Sequence, residues 1–142
     1  MEIKSLLKRI DGNKAYIDAY RPLSPEDNRE LDAYFRIGAT YSSNALEGNT
    51  LTLTETKALL EDGLTAGGKP IRDSNEALGH ARAYDFMLET ARSEPFEFSV
   101  NIILRLHKLF YSGIDADKAG AYREGQVFIT GTEYIPPQAK DV

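Results

Sequence analysis

Cysteine is absent from the 142 residues. That excludes disulfides, thiolate chemistry and every cysteine-based zinc site. Histidine occurs only at His80 and His107, too far apart for a short His-x3-His metal pattern, and no metal site is expected. No run approaches the ~18 apolar residues that would span a membrane. The N-terminus, from Met1 to Gly12, lacks the long apolar stretch of a signal peptide. A reducing cytoplasm is therefore the expected compartment, with no membrane partner. Positive charge is also scarce: 17 Lys and Arg stand against 22 Asp and Glu, a net charge of −5. Nucleic-acid binding rests on clustered Lys and Arg, so no nucleic-acid partner is expected.

What is present is ordinary for a folded chain, with 42% hydrophobic and 27% charged residues. The length suits one domain or part of one. Ile3, Leu6, Leu7 and Ile10 fall at helical spacing, and Asp11-Gly12-Asn13 predicts a break after them. A second short apolar stretch follows around Tyr16, Ile17 and Tyr20. Ser24-Pro25-Glu26-Asp27 then reads as a helix start: a capping hydroxyl, a proline at the first helical position and two acids at the positive end of the dipole. Leu31, Tyr34, Phe35, Gly38, Tyr41, Ser42, Ala45 and Leu46 continue it to a stop near Glu47, where Gly48-Asn49 follows. This is expected to be the longest helix.

Thr52 to Glu55 fits a capping box, opening a helix that carries Leu59 and Leu60 inward and stops at Gly63. Asp73-Ser74-Asn75-Glu76 reads as a second such start, before a stripe of Ala77, Leu78, Ala81, Tyr84, Leu88 and Ala91. Ser99 is expected to cap a further helix, which Gly113 ends. After that the pattern turns β-prone. Gln126 to Thr130 and Tyr134-Ile135, separated by Gly131-Thr132-Glu133, predict a small hairpin closed by Pro136-Pro137. A lone hairpin is marginal in water, so earlier helices must support it or the chain lacks a continuation. The expected fold is mainly α with one small β-hairpin.

From the residues alone no catalytic set stands out. His107 lies on the apolar side of its helix and His80 follows Gly79 in another; a packed structural histidine is the ordinary role for each. Glu47 is less ordinary. A carboxylate at a helix C-terminus faces the negative end of the dipole, at a cost of about 0.3–1 kcal/mol. It is either a solvated acid beside a turn or a residue that breaks a local rule for a function.

Ser43-Asn44-Ala45-Leu46-Glu47-Gly48-Asn49 resembles the [S/T]-x-x-x-E-[G/N] inhibitory-helix motif of Fic proteins. The continuation Thr50 to Glu55, Asn75-Glu76 ahead of Ala81 and Tyr84, and Leu106-His107 are similar to the same family. Gly120-Ala121-Tyr122-Arg123, Val127-Phe128-Ile129, Pro136-Pro137 and Asp141-Val142 resemble its target-binding flap. The resemblance divides the chain into an N-terminal helical region, 1–34, and the N-terminal part of a Fic-like helical bundle, 35–142, incomplete at the C-terminus.

The resemblance implies transfer of AMP from ATP to a hydroxyl of a target protein. The family's chemistry is implied to sit in a loop, H-P-F-x-[D/E]-G-N-[G/K]-R, whose histidine is the general base and whose acid holds magnesium. No such loop occurs here: His80 precedes Ala81, His107 precedes Lys108, and Asp11-Gly12-Asn13-Lys14 matches only its middle. In the family the loop follows the flap. The chain is therefore expected to hold no catalytic residue and to be inactive alone. ATP and Mg2+ are implied for the full-length protein only, with neither expected to bind this chain tightly. By the resemblance, Glu47 would pair with the loop's last arginine and occupy the γ-phosphate position, with Ser43, Gly48 and Asn49 completing the inhibitory motif. In some relatives the same glutamate supports removal of AMP. Val127, Phe128, Ile129, Thr130 and Gly131 would dock the target segment as an added strand and border the nucleotide. Arg123 would contact phosphate or form a surface salt bridge. The expected role is the regulatory and target-docking portion of an autoinhibited Fic protein. The alternative is a non-catalytic helical interaction module derived from a Fic domain. Apolar flanks on the first helices could support a homodimer.

Overall fold

The computed structural model describes residues 3–95 and 97–141. Val142, the last residue of the flap resemblance, lies outside the described residues. Five α-helices follow in order: α1 (Ile3–Asp18), α2 (Pro25–Leu46), α3 (Leu53–Asp62), α4 (Ile71–Arg92) and α5 (Val100–Tyr111), before a 3-10 turn at Ala139–Asp141. Among the described residues no helix is long and apolar enough to cross a membrane. The chain divides into two compact units, Met1–Phe35 and Arg36–Val142.

In the first unit α1 runs unbroken through Asp11-Gly12-Asn13, where the sequence pattern predicts a break. One glycine costs a helix interior only about 1 kcal/mol relative to alanine. Beyond it, a Lys14–Asp18 ion pair and the edge-to-face Tyr16–Tyr20 pair, 5.3 Å between centroids, brace the last turns. α2 starts as its sequence predicts: the Asp27 N–H donates to Ser24 Oγ (3.0 Å) and the Ser24 N–H donates to Asp27 Oδ2 (3.3 Å).

The second unit is built around α4, which packs against α3 and α5. α3 opens on a complete capping box: the Glu55 N–H donates to Thr52 Oγ1 (3.2 Å) and the Thr52 N–H to Glu55 Oε2 (2.7 Å). It stops at Gly63. Leu51, Leu59 and Ala77 form the buried core, with Ala66 and Leu78 against it. The middle of α4 is lined by small residues, Ala77, Gly79 and Ala81, all buried. Gly79 is where α5 crosses. A Cβ there would lie 2.2 Å from the Phe110 carbonyl oxygen, so only glycine admits this approach. The second half of α2 is joined to α4 by a two-pronged ion pair, Arg36 to Asp85 at 2.7 and 2.9 Å.

Several expectations are corrected. α4 begins at Ile71, after Pro70, not with Asp73 as its cap; the Asp73 carboxylate bonds to Thr50 instead. It has 22 residues, equal to α2. Ser99 precedes α5 as expected but makes no side-chain cap bond. The predicted hairpin is not formed: among the described residues there is no strand, and 126–129 and 132–138 run without a ladder around a turn at Thr130-Gly131. Pro136 and Pro137 have no N–H to donate. The Pro136 carbonyl is instead taken by the Gln126 side-chain amide (2.9 Å), and that of Pro137 by Arg123 Nη2. β-prone side chains make a strand only where partners complete the ladder and a surface packs them.

Candidate functional site

Glu47 is exposed and sits one residue past the end of α2. Its N–H and that of Asn49 both donate to the Asn44 carbonyl oxygen (3.1 and 3.0 Å), so the helix ends in a closed turn. Gly48 turns the chain through a left-handed conformation, φ 89°. Asn44 itself is buried, its amide bonded back to the Thr40 carbonyl (2.9 Å). Ser43 is exposed one turn before Glu47; the hydroxyl that bonds back onto the helix is that of Ser42, to Gly38 (2.8 Å).

Beyond Gly48 the chain is fastened to α4. Asn49 Nδ2 donates to the Asp73 carbonyl oxygen and to Glu76 Oε2, both at 3.0 Å. Asn49 Oδ1 accepts from the Leu51 N–H (3.0 Å). The Thr50 N–H and hydroxyl both donate to Asp73 Oδ2. Lys69 Nζ donates to the Thr50 carbonyl (2.6 Å) and lies 3.7 Å from Glu55. An exposed carboxylate thus stands on a loop held at both ends. Asn49 contributes to this fastening. In the sequence Asp73 reads only as a helix-start residue, and Glu76 as a helix-start residue and part of the Asn75-Glu76 resemblance.

The segment resembling the flap lies on α5. Gly120, at φ 75°, packs against it, where an added Cβ would meet Lys108 Cβ at 2.7 Å. Its N–H donates to His107 Nδ1 (3.1 Å), and the His107 ring stacks on Tyr111 with centroids 5.2 Å apart. Asn75 Nδ2 of α4 donates to the Gly113 carbonyl at the start of the same loop (2.8 Å). Between α5 and this loop lies a cleft of about 670 Å³, bordered by His107, Tyr111, Tyr122, Arg123 and Val127. Arg123 Nε is buried without a partner among the described residues. Val127, Phe128 and Ile129 are all exposed, Phe128 at 76%, and Thr130 and Gly131 form the turn after them.

The two histidines are both engaged. His80 Nδ1 lies 3.0 Å from Thr40 Oγ1, and burial holds its pKa below the ordinary value. His107 accepts from backbone. Among the described residues no group of three His, Cys, Asp or Glu side chains could hold a metal ion.

No protein-family model matches the chain. It is 33% identical over 111 residues to a protein adenylyltransferase Fic of Nematostella vectensis, covering 78% of this chain and 25% of that protein. It is 36% identical over 108 residues to the protein adenylyltransferase fic-1 of Caenorhabditis elegans, covering 72% and 21%. The crystal structure of a Fic domain-containing signaling protein from Bacteroides thetaiotaomicron superposes with a TM-score of 0.75 at 28% identity, over 82% of this chain and 44% of that one. In sequence and fold the chain matches the Fic family. It spans only a quarter or less of the length of these two curated relatives.

Within this Fic segment, α4 links the Glu47 loop, held through Asp73 and Glu76, to the 113–136 segment, held through Asn75. Both resemblance-bearing regions belong to the second unit.

Proposed function

We propose that this chain is the regulatory and target-docking portion of an autoinhibited Fic protein adenylyltransferase, with Glu47 as the inhibitory group. The observation that carries the reading is the exposed Glu47 carboxylate, unpaired with any cation among the described residues, on a loop fastened at both ends. A guanidinium is a two-pronged donor that a carboxylate satisfies as a phosphate would. Glu47 then blocks the γ-phosphate position by pairing with the arginine of the H-P-F-x-[D/E]-G-N-[G/K]-R loop. Ser43, Gly48 and Asn49 shape the turn around it.

Val127, Phe128, Ile129, Thr130 and Gly131 dock the target protein. Among the described residues the segment forms no ladder of its own, and beyond the Val127 carbonyl, which accepts from the Gln126 side-chain amide (3.1 Å), an extended target segment adds to its main chain as a strand. ATP and magnesium belong to the catalytic loop on this reading, and the 142 residues alone transfer no AMP. The supports are the Fic likeness and the absence of that loop from the sequence. Cytoplasmic location and homodimerisation through the apolar residues of α1 and α2 belong to the same proposal.

The test uses a Fic polypeptide that carries this segment followed by the loop. Glu47→Gly is expected to raise AMP incorporation from labelled ATP by about tenfold or more, the scale of one lost charge-assisted interaction. Unchanged incorporation overturns the assignment. A non-catalytic interaction module predicts that outcome, with target binding still lost when Phe128 and Ile129 are replaced.

A further inference from the structure

Asp73 stands in the first turn of α4, where an acid ordinarily serves its own helix. It is 7% exposed, and its carboxylate reaches back across 23 residues. Oδ2 accepts from the Thr50 N–H (2.8 Å) and from the Thr50 hydroxyl (2.5 Å). The Asp73 carbonyl oxygen accepts from Asn49 (3.0 Å). The two residues after Gly48 are therefore fastened to one turn of α4. Among the described residues the Glu47 side chain has no hydrogen-bond or ion-pair partner. The residue is held by the closing turn of α2 on one side and, through Gly48, by this anchor on the other. Gly48 has open space on its Cβ side, and its N–H donates to the Ala45 carbonyl (3.1 Å) as part of the closing turn.

We propose that Asp73 is a positioning residue for Glu47: its carboxylate holds the Asn49–Thr50 stretch so that the Glu47 carboxylate is presented in a fixed place. The inference rests on the reading of Glu47 as the inhibitory group and adds a means of regulating it. Hydrogen bonds to an ionised acceptor are about twice as strong as neutral ones. Losing the Asp73 carboxylate loosens the loop, which Asn49–Glu76 and Lys69–Thr50 still tether, while the inhibitory group stays in the chain. Any event that draws Thr50 away from Asp73 then relieves inhibition.

Two readouts test this. In the 142-residue chain, Asp73→Asn is expected to speed amide hydrogen exchange of residues 48–51 by about tenfold, with α5 amides changed less than about twofold. Equal acceleration everywhere means a general loss of stability and overturns the proposal. In the Fic polypeptide carrying the loop, Asp73→Asn is expected to raise AMP incorporation about threefold or more with Glu47 in place, and to add nothing on top of Glu47→Gly. Thr50→Val, at an exposed residue, removes the hydroxyl bond and gives the same sign if Asp73→Asn fails to fold. A flat response to Glu47→Gly removes the proposed function and this inference with it. A rise with Glu47→Gly beside flat Asp73 and Thr50 variants removes this inference alone.

Discussion

Gly79→Ala isolates the contact on which the second unit is built. The added Cβ would meet Phe110 three times: its carbonyl oxygen at 2.2 Å, its carbonyl carbon at 2.9 Å and its Cα at 3.1 Å. The first distance is roughly 1 Å inside van der Waals contact. All three atoms are backbone, so no rotamer change relieves the clash; α5 must move off α4 or tilt. Overpacking of this kind costs about 1–3 kcal/mol, and more where backbone must shift. The alanine returns about 1 kcal/mol of helix propensity. The net expectation is a loss of about 2 kcal/mol, or a fall in Tm of roughly 8 °C at about 4 °C per kcal/mol. The assay is thermal and urea unfolding of the 142-residue chain followed by helical circular dichroism. Gly38→Ala is the control: it lies inside α2 with nothing within 4 Å of the new Cβ, and should gain about 0.5–1 kcal/mol. A Gly79→Ala chain as stable as the parent would refute the close crossing of α4 and α5.

Further predictions follow from the titrating and capping groups. Burial lowers the His80 pKa, so between its unfolded and its lower folded value His80 binds more proton in the unfolded chain, and its contribution to stability is full above the unfolded value and is lost as pH falls through the folded one. Urea midpoints should be lower at about pH 5 than at about pH 7, and His80→Gln should reduce that difference; an unchanged slope would remove His80 as its source. Thr52→Ala should cost about 1 kcal/mol by opening the capping box of α3. The Glu55 pKa is held below its ordinary value first by the Thr52 backbone N–H, which alanine keeps, and then by the Thr52 hydroxyl, so it should move part of the way back up, which carboxylate NMR titration reads directly.

The parts of the fold legible in the sequence are those whose signals act within one turn. Thr52, Glu55 and Gly63 fix both ends of α3, and Ser24 with Pro25 fixes the start of α2. The parts misread are those where a local signal competes with something the sequence does not display. Gly12 reads as a stop, yet the helix on both sides of it outweighs one unfavourable residue. Val127 to Thr130 reads as a strand, yet its partner segment ends in two prolines, and the Gln126 and Arg123 side chains take their carbonyls. Nothing in the spacing announces that Gly79 and Gly120 are contact glycines, since the partners, Phe110 and Lys108, are fixed only by packing.

The candidate site divides along the same line. Glu47 stood out because a carboxylate at a helix C-terminus opposes the dipole, an anomaly that one residue and its neighbours suffice to reveal. Asp73 is hidden by the opposite circumstance. An acid in the first turn of a helix satisfies the local rule, so its type and position already have an ordinary explanation. Only the fold shows that the N-cap is Pro70, which has no N–H for an acid to accept, and that the carboxylate serves Thr50. An anomalous residue can therefore be found by reading along the chain, whereas the group that positions it is concealed when it conforms. The Glu47 loop holds one of each, and so their effects have to be separated by combining variants at both positions, since neither alone distinguishes losing the carboxylate from losing its place.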